Sequence, residues 1–275
     1  MPFANINGAR LFYTDEGSGP AIVLAHGTTC DSNDWNMQLP AFESDFRVIS
    51  VDLRGHGLSS SPDGNYSSHQ DAADLAALVT DLGLERVVAF GHSTGGACAV
   101  SFAVSHPALV RAVVAVDPSY GMDPASQAAL RGALDAMTDE STHDIFRASF
   151  VDFYAETSPR YLRLWHARRL QGVEPWVLRA CYRDTALAED QIFFRPEAER
   201  FLGRVPCPVF TLRRTGSSIA PSSADWDCSL FSHPYSTGIS WSGAGHWPHQ
   251  ERPEEFNVAV TSWIRGLPAP GFTSP

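Results

Sequence analysis

Short apolar runs that alternate with helical segments constrain the fold of this chain more than any other feature. Runs with strand character lie at residues 10–15, 21–26, 47–52, 86–91 and 112–116. Between them, residues 67–84 and 94–105 have the apolar spacing of helices. Because this alternation is typical of a parallel sheet whose strands are joined by right-handed helical crossovers, the sequence predicts an α/β fold.

The alternation is interrupted after Asp117. From residue 120 to about residue 204 the pattern is helical, and strand character returns at residues 208–212 and 238–241, before a last helix near Pro253. A helical insertion of this kind can act as a lid that shields a site from water. We therefore expect a core formed by residues 1–118 and 205–275 and an all-helical cap formed by residues 119–204.

Charge and composition exclude several classes of protein. The chain has 275 residues, of which 44% are hydrophobic and 19% charged, as in ordinary globular proteins. It contains no lysine, which rules out a pyridoxal phosphate Schiff base and a lysine-bearing phosphate loop. The formal net charge of −11 argues against nucleic acid as a partner. We expect a small-molecule substrate instead.

Targeting and metal-binding signals are not apparent in the sequence. No apolar run approaches the roughly 18 residues of a membrane helix, and the N-terminus shows no basic and apolar leader. The five cysteines are scattered and odd in number, which is typical of reduced thiols. We therefore expect a cytoplasmic protein with no membrane association, no metal and no cofactor, and the oligomeric state stays open.

The strongest functional signal is the pentapeptide G-H-S-T-G at residues 91–95. It follows a predicted strand and opens a predicted helix, the context in which G-x-S-x-G presents a serine on a sharp turn. We interpret Ser93 as a nucleophile. The backbone amide of Thr94 then lies at a helix N-terminus, which favours negative charge, and is a candidate oxyanion donor. The alternative is a glycine-bracketed turn with an incidental serine.

Two further segments supply candidate partners for Ser93. The loop H-G-T-T at residues 26–29 follows a predicted strand, so the Thr28 amide is a candidate for the second oxyanion donor, and we interpret His26 as structural. A general base is expected downstream. His246 follows a Gly-Ala-Gly turn before the last helix, where a histidine suits proton transfer, and His249 is its rival.

Four motifs occur in an order that resembles the α/β-hydrolase superfamily. They are H-G at 26–27, D-L-R-G-H-G at 52–57, G-H-S-T-G-G at 91–96 and G-H at 245–246, and they span nearly the whole chain. The resemblance implies an α/β-hydrolase fold: an eight-stranded, mostly parallel sheet, a cap inserted after the sixth strand and a Ser–His–acid triad. A serine nucleophile disfavours the epoxide hydrolases and haloalkane dehalogenases of the superfamily, which use a carboxylate.

The acid departs from a common pattern of the superfamily. Many members carry it after the strand that corresponds to residues 208–212, but here L-R-R-T-G-S-S follows and no carboxylate occurs before Asp225. Some members carry the acid one strand earlier, where V-D-P contains Asp117. We assign Asp117 as the triad acid, with Asp225 and Asp227 as alternatives. A turn aspartate before proline is the structural explanation for Asp117.

Taken together, these features predict a cofactor-free serine hydrolase, of carboxylesterase or lactonase type, for a small to medium apolar substrate. The resemblance also leaves open a C–C hydrolase of ring-cleavage products, a cofactor-free ring-cleaving dioxygenase and a non-catalytic ligand receptor. Candidate substrate contacts are aromatic or imidazole side chains: Trp35, His92, Phe150, Tyr154, Trp165 and Trp247.

A group of arginines in the expected cap has two interpretations. The residues are Arg160, Arg163, Arg168, Arg169, Arg179 and Arg183, with Glu174 as the one acid among residues 158–183. They form either a solvated helix face paired with acids elsewhere, or a site in which one or two guanidinium groups bind a substrate carboxylate.

Overall fold

An eight-stranded sheet lies at the centre of the computed structural model, which describes residues 2–217 and 220–268. The strands are β1 (Phe3–Ile6), β2 (Ala9–Gly17), β3 (Ala21–Ala25), β4 (Arg47–Val51), β5 (Val87–His92), β6 (Val110–Val116), β7 (Val209–Arg214) and β8 (Thr237–Trp241). Their spatial order is β1-β2-β4-β3-β5-β6-β7-β8, and every neighbouring pair from β4 to β8 is parallel. The predicted mostly parallel sheet is confirmed.

The first strand was not predicted from the sequence. β1 pairs with β2 in antiparallel register, with Ile6 opposite Ala9. The two residues between them, Asn7 and Gly8, both have positive φ angles, of 46° and 79°. Asn-Gly is the dipeptide that two-residue hairpin turns prefer, because both positions require positive φ. That dipeptide was the available signal, although the four-residue strand before it is too short to show a clear period.

Helices cover both faces of the sheet. The helices outside the β6–β7 connection are α1 (Leu39–Phe42), α2 (Ser68–Asp81), α3 (Thr94–Ser105), α9 (Ala224–Leu230), α10 (Pro248–Glu251) and α11 (Pro253–Gly266). Residues of α2 and α3 pack on one face, and residues of α1 and α11 pack on the other. All side chains of β3 and β5 are buried, as expected for parallel strands with helices on both sides.

A helical insertion connects β6 to β7. It contains α4 (Gln127–Ala136), α5 (Asp139–Ser149), α6 (Arg160–Gln171), α7 (Pro175–Tyr182) and α8 (Glu197–Leu202). Short 3-10 turns at Pro124–Ser126 and Phe150–Phe153 and a π turn at Arg183–Leu187 lie between them. The segment departs from the all-helical prediction at one isolated parallel bridge between Met122 and Phe194.

An apolar cluster joins the insertion to the rest of the molecule. Phe146, Leu170 and Val177 of the insertion pack with Tyr66 and Trp247, which lie outside it. The insertion is therefore seated on the carboxyl end of the sheet by buried contacts. Among the described residues, no helix is long and apolar enough to span a bilayer. All five cysteines are free thiols, and four of them are buried.

A buried ion pair fixes the ends of β6 and β7. The Arg213 guanidinium donates to both carboxylate oxygens of Asp227, at 2.7 and 2.9 Å, and both side chains are fully buried. The same guanidinium donates to the carbonyl oxygen of Pro118 at 2.8 Å. Removing one partner of such a pair leaves a buried charge without compensation, which is much more costly than replacing both.

We predict that Arg213→Met lowers the free energy of unfolding by about 3–5 kcal/mol, because Asp227 would stay buried without its cation. Urea unfolding followed by circular dichroism measures this change. The matched control is Arg200→Met, which removes an exposed pair with Glu197 and should change stability by less than about 1 kcal/mol. Equal stability of the two variants would show that the buried pair does not anchor the strand ends.

Candidate active site

Ser93 lies on a sharp turn between β5 and α3. Its φ angle is +55° and its ψ angle −120°, a conformation that most residues avoid. The turn requires glycine on both sides: a Cβ at Gly91 would overlap the Gly95 carbonyl, and a Cβ at Gly95 would overlap the Ala25 carbonyl. The G-x-S-x-G spacing therefore reflects close backbone contacts between β5, α3 and β3, which together present the Ser93 hydroxyl at the sheet edge.

Ser93, His246 and Asp117 form one chain of hydrogen bonds. Ser93 Oγ lies 2.9 Å from His246 Nε2, and His246 Nδ1 lies 2.6 Å from Asp117 Oδ2. Since an ionised carboxylate only accepts, the proton of the imidazole belongs on Nδ1, and the lone pair of Nε2 accepts the Ser93 hydroxyl proton. The structure thus brings together the three residues that the sequence nominated as nucleophile, base and acid.

Asp117 is the carboxylate that reaches His246. It follows β6 with a φ angle of +40°, and its oxygens accept from the backbone N–H and the Nε–H of Arg214, each at 3.2 Å. The two alternatives are engaged elsewhere. Asp225 is exposed and bonds to Ser223 at the start of α9, and Asp227 is paired with Arg213. The geometry therefore favours Asp117 over both.

The surroundings of His246 and Asp117 keep both side chains in the protonation states that a general base and its partner need. Burial, together with the nearby His92 and Arg214, lowers the pKa of His246 to about 4, against the opposing hydrogen bond and charge of Asp117. Burial favours protonation of Asp117, but the hydrogen bond from His246 and the adjacent charges hold its pKa below the ordinary value. At neutral pH the imidazole is therefore neutral and the carboxylate ionised.

The two candidate oxyanion donors are the backbone amides of Thr28 and Thr94, two threonines that contact each other. The Thr28 amide donates to Thr94 Oγ1 at 2.8 Å, and the two threonine hydroxyl oxygens lie 3.0 Å apart. The Thr94 amide opens α3, where no carbonyl of the same helix precedes it. The Thr94 amide therefore has no partner within its own helix, whereas the Thr94 hydroxyl has to turn away before the Thr28 amide can bind an oxyanion.

A largely apolar cavity of about 370 Å³ opens above Ser93. Its apolar wall includes Met122, Leu130, Phe146, Phe150, Phe193 and Trp247. A second cavity of about 630 Å³ adjoins it, and Leu130, Phe146 and Arg214 line both. The site can therefore accept an apolar group larger than the carbonyl centre itself, with its walls supplied mainly by the insertion.

Four of the six predicted substrate contacts lie at these cavities. His92, Phe150 and Trp247 line the first cavity, and Tyr154 lines the second. The His92 ring is buried beneath the site, and its Nε2–H donates to the backbone carbonyl of His246 at 2.7 Å. This bond holds the backbone that carries the candidate base, and the other ring nitrogen of His92 lies 3.1 Å from Asp34 Oδ2.

The predictions for Trp35 and Trp165 were wrong. Trp35 is fully buried in the core, where its ring packs against Phe90 and His249. Trp165 packs edge-on against Tyr161 and lines a groove on the outside of α6. Aromatic residues serve packing more often than recognition, and their sequence positions carried no information about which way the rings point.

The six arginines of residues 158–183, for which carboxylate binding was one of two interpretations, do not line either cavity. Several of these arginines form ion pairs with acidic residues of this chain. Arg169 contacts Asp31 and Asp34, and Arg179 contacts Asp139. The guanidinium that lines both cavities is that of Arg214, which the sequence analysis did not select. Its position at the end of β7, next to the segment in which many superfamily members carry the acid, was the available signal.

A buried polar cluster lies behind His246. Asp34, His92 and His249 each place one potential ligand atom within 4.8 Å of the others, the one such group of metal-binding side chains in residues 2–217 and 220–268. Arg169 lies 3.1 Å from Asp34 and already balances its charge, so the cluster does not need a cation. The sequence could not reveal it, because its members come from three segments that are far apart in the chain.

Comparison with known proteins identifies the family. A sequence profile described as "Alpha/beta hydrolase family" matches residues 22–259, so the chain belongs to this family. Over most of its length it is similar to a 2-(acetamidomethylene)succinate hydrolase of Mesorhizobium japonicum, with 28% identity covering 94% of this chain and 93% of the relative. A non-heme haloperoxidase of Rhodococcus erythropolis is 42% identical over 39% of this chain and 40% of its own.

Solved structures share the same fold. A thermophilic esterase from Thermogutta terrifontis superposes with a TM-score of 0.83 at 23% identity, covering 96% of this chain and 97% of the esterase. The enol-lactonase from Burkholderia xenovorans superposes with a TM-score of 0.79 at 20% identity, covering 96% of this chain and all of the lactonase (100%). These structures confirm the α/β-hydrolase fold.

We predict that kcat/KM falls at acidic pH with a midpoint below pH 6.5, the ordinary pKa of histidine. The midpoint should be displaced toward pH 4. His246 accepts a proton only when neutral, and burial depresses its pKa, so the active form persists into acid. A pH profile with a soluble ester measures the midpoint. Arg214→Met removes a cation that lowers this pKa and should move the midpoint to higher pH. A wild-type midpoint at or above 6.5 would contradict the assignment.

Proposed function

We propose that this protein is a cofactor-free serine hydrolase that cleaves a small to medium apolar carboxylic ester or lactone through an acyl-enzyme on Ser93. The observation that carries the proposal is the contact of Ser93 Oγ with His246 Nε2 at 2.9 Å, with Asp117 on the other imidazole nitrogen at 2.6 Å. A nucleophile, a base and a group that orients the base are the recurring parts of covalent acyl transfer.

Acylation follows from this geometry. His246 takes the Ser93 hydroxyl proton as Oγ attacks the carbonyl carbon, and Asp117 stabilises the imidazolium that forms. The negative charge on the carbonyl oxygen is bound by the amides of Thr94 and Thr28, once the Thr94 hydroxyl has released the latter. His246 then protonates the leaving alcohol, or the ring oxygen of a lactone.

Deacylation uses the same groups in reverse. Water donates a proton to His246 Nε2 and attacks the acyl carbon, and the bond to Ser93 Oγ then breaks as the imidazolium returns the proton. The apolar walls of the cavity limit the water that reaches the intermediate. No metal or cofactor takes part in these steps.

The comparisons support hydrolysis as the class of reaction, and they do not identify the substrate. The relative from Mesorhizobium japonicum is a hydrolase, and the esterase and the enol-lactonase have the same fold. Our preference for an apolar ester or lactone rests on the cavity walls, which are formed mainly by apolar side chains of the insertion.

Arg214 favours a second candidate, a hydrolase for a substrate that carries a carboxylate, including C–C cleavage of ring-cleavage products. Its guanidinium lines both cavities, and the substrate in the name of the Mesorhizobium japonicum relative is a succinate derivative. Turnover of a p-nitrophenyl monoester of succinic acid should then exceed that of the neutral butyrate and fall in Arg214→Met. The opposite preference supports the apolar substrate.

We predict that Ser93→Ala lowers kcat for p-nitrophenyl butyrate by at least about 1,000-fold, because it removes the atom that forms the acyl-enzyme. The unfolding midpoint should stay within a few degrees of the wild-type value, which separates chemistry from folding. Retained turnover in this variant would overturn the mechanism.

Two further measurements, of oxygen uptake and of ligand binding, test the alternatives that the family leaves open. Oxygen uptake with a heteroaromatic substrate, unaffected by Ser93→Ala, would indicate a cofactor-free dioxygenase. Tight ligand binding without turnover would indicate a receptor.

A further inference from the structure

A second hydroxyl lies against the proposed nucleophile. Ser119 Oγ is 3.0 Å from Ser93 Oγ, both residues are buried, and Ser119 lines the cavity above Ser93. The backbone N–H of Ser119 also donates to the carbonyl oxygen of Ser93, at 2.9 Å. Ser119 is therefore joined to Ser93 through both its main chain and its side chain. The mechanism above assigns it no role.

The directions of the protons follow from the neighbours. The Ser93 hydroxyl has one proton, and that proton is donated to His246 Nε2. The hydrogen bond between the two serines therefore has Ser119 as the donor and Ser93 Oγ as the acceptor. Ser119 thus presents an O–H to the atom whose charge changes during the reaction.

The turn that carries Ser119 is held firmly. The carbonyl oxygen of Pro118 accepts from the buried guanidinium of Arg213 at 2.8 Å. Pro118 also packs against the first turn of α3, where a Cβ added to Gly96 would lie 2.6 Å from the proline Cβ. A donor that is fixed before the reaction stabilises a developing charge without the cost of reorganisation.

We propose that Ser119 is a further catalytic residue, whose hydroxyl stabilises Ser93 Oγ as the leaving oxygen when the acyl-enzyme breaks down. This inference rests on the proposed function. In that step the bond between the acyl carbon and Oγ breaks, its electron pair stays on Oγ, and the proton on His246 moves to Oγ. Ser119 keeps its own proton throughout and contributes a hydrogen bond.

The effect should be larger in deacylation than in acylation. In the acyl-enzyme, Oγ is an ester oxygen and a weak acceptor, whereas it carries negative charge as the bond breaks, and hydrogen bonds to charged groups are stronger. In the free enzyme, Ser119 already bonds to the Ser93 hydroxyl. The hydrogen bond therefore strengthens less on the way to acylation.

The test is the rate at which Ser93 loses its acyl group in the Ser119→Ala variant. Rapid-quench mass spectrometry with p-nitrophenyl butyrate follows the acylated chain directly, and release of p-nitrophenol reports acylation. We expect deacylation to slow by about 10-fold or more and acylation by less than about 3-fold. A change in rate of about 10-fold is the effect expected from the loss of one hydrogen bond to a charged atom.

Three further variants control for structural effects. Ser229→Ala removes an exposed hydroxyl of α9 that donates to the carbonyl of Trp226 and lines neither cavity, so both rates should match the wild type. Ser119→Thr keeps the hydroxyl and should restore most of the deacylation rate. If Ser119→Ala does not fold, Ser119→Thr compared with Ser119→Cys, a weaker donor, measures the same difference.

The outcomes separate this inference from the proposed function. A wild-type chain that is acylated and turns over, with deacylation unchanged in Ser119→Ala, overturns the role of Ser119 and leaves the proposed function intact. Equal slowing of both steps in Ser119→Ala, without rescue by threonine, also overturns it, since that pattern indicates a packing effect. A wild-type chain that is never acylated overturns both.

Discussion

The backbone contact between the end of β5 and the start of α3 is the constraint on which the rest of the site depends. It forces glycine at positions 91 and 95 and leaves Ser93 with a positive φ angle at the edge of the sheet. Parallel strands end at the same edge, so the loops after β3, β6 and β8 converge on that serine. The threonine pair, Asp117 and His246 all reach it from there.

Two arginines, Arg213 and Arg214, connect the segments around the carboxyl edge of the sheet, in a chain that contains no lysine. Arg213 ties the turn after β6 to α9, and Arg214 contacts Asp117 and donates to the carbonyl of Asp152 in the insertion. Both use several hydrogen bonds of one planar group, which an ammonium could not reproduce. The backbone N–H of His246 donates to the carbonyl of Phe153. The insertion thus holds the proposed base and acid as well as covering them.

Much of this arrangement could be predicted from the sequence, because it follows from local patterns. The apolar runs indicated most of the sheet, and the residues around Ser93 and His246 matched motifs whose geometry the backbone dictates. Asp117 could be nominated from its place after β6, although Asp225 and Asp227 could only be set aside once their partners were seen.

The rest depends on side-chain directions and contacts between distant segments. The contact of Ser119 with Ser93 spans 26 positions, and the cavity position of Arg214 depends on how the insertion packs. Trp35 was misassigned because a tryptophan that packs in the core and one that lines a pocket have the same pattern in the sequence.

The central claim is that Ser93 is the nucleophile of a covalent mechanism, and a fluorophosphonate probe tests it most directly. Peptide mass mapping after labelling should find one adduct per chain, on Ser93, and the His246→Gln variant should label far more slowly, because the hydroxyl would lose its base. A chain that hydrolyses esters but takes up no probe, or takes it up at another residue, would contradict the account.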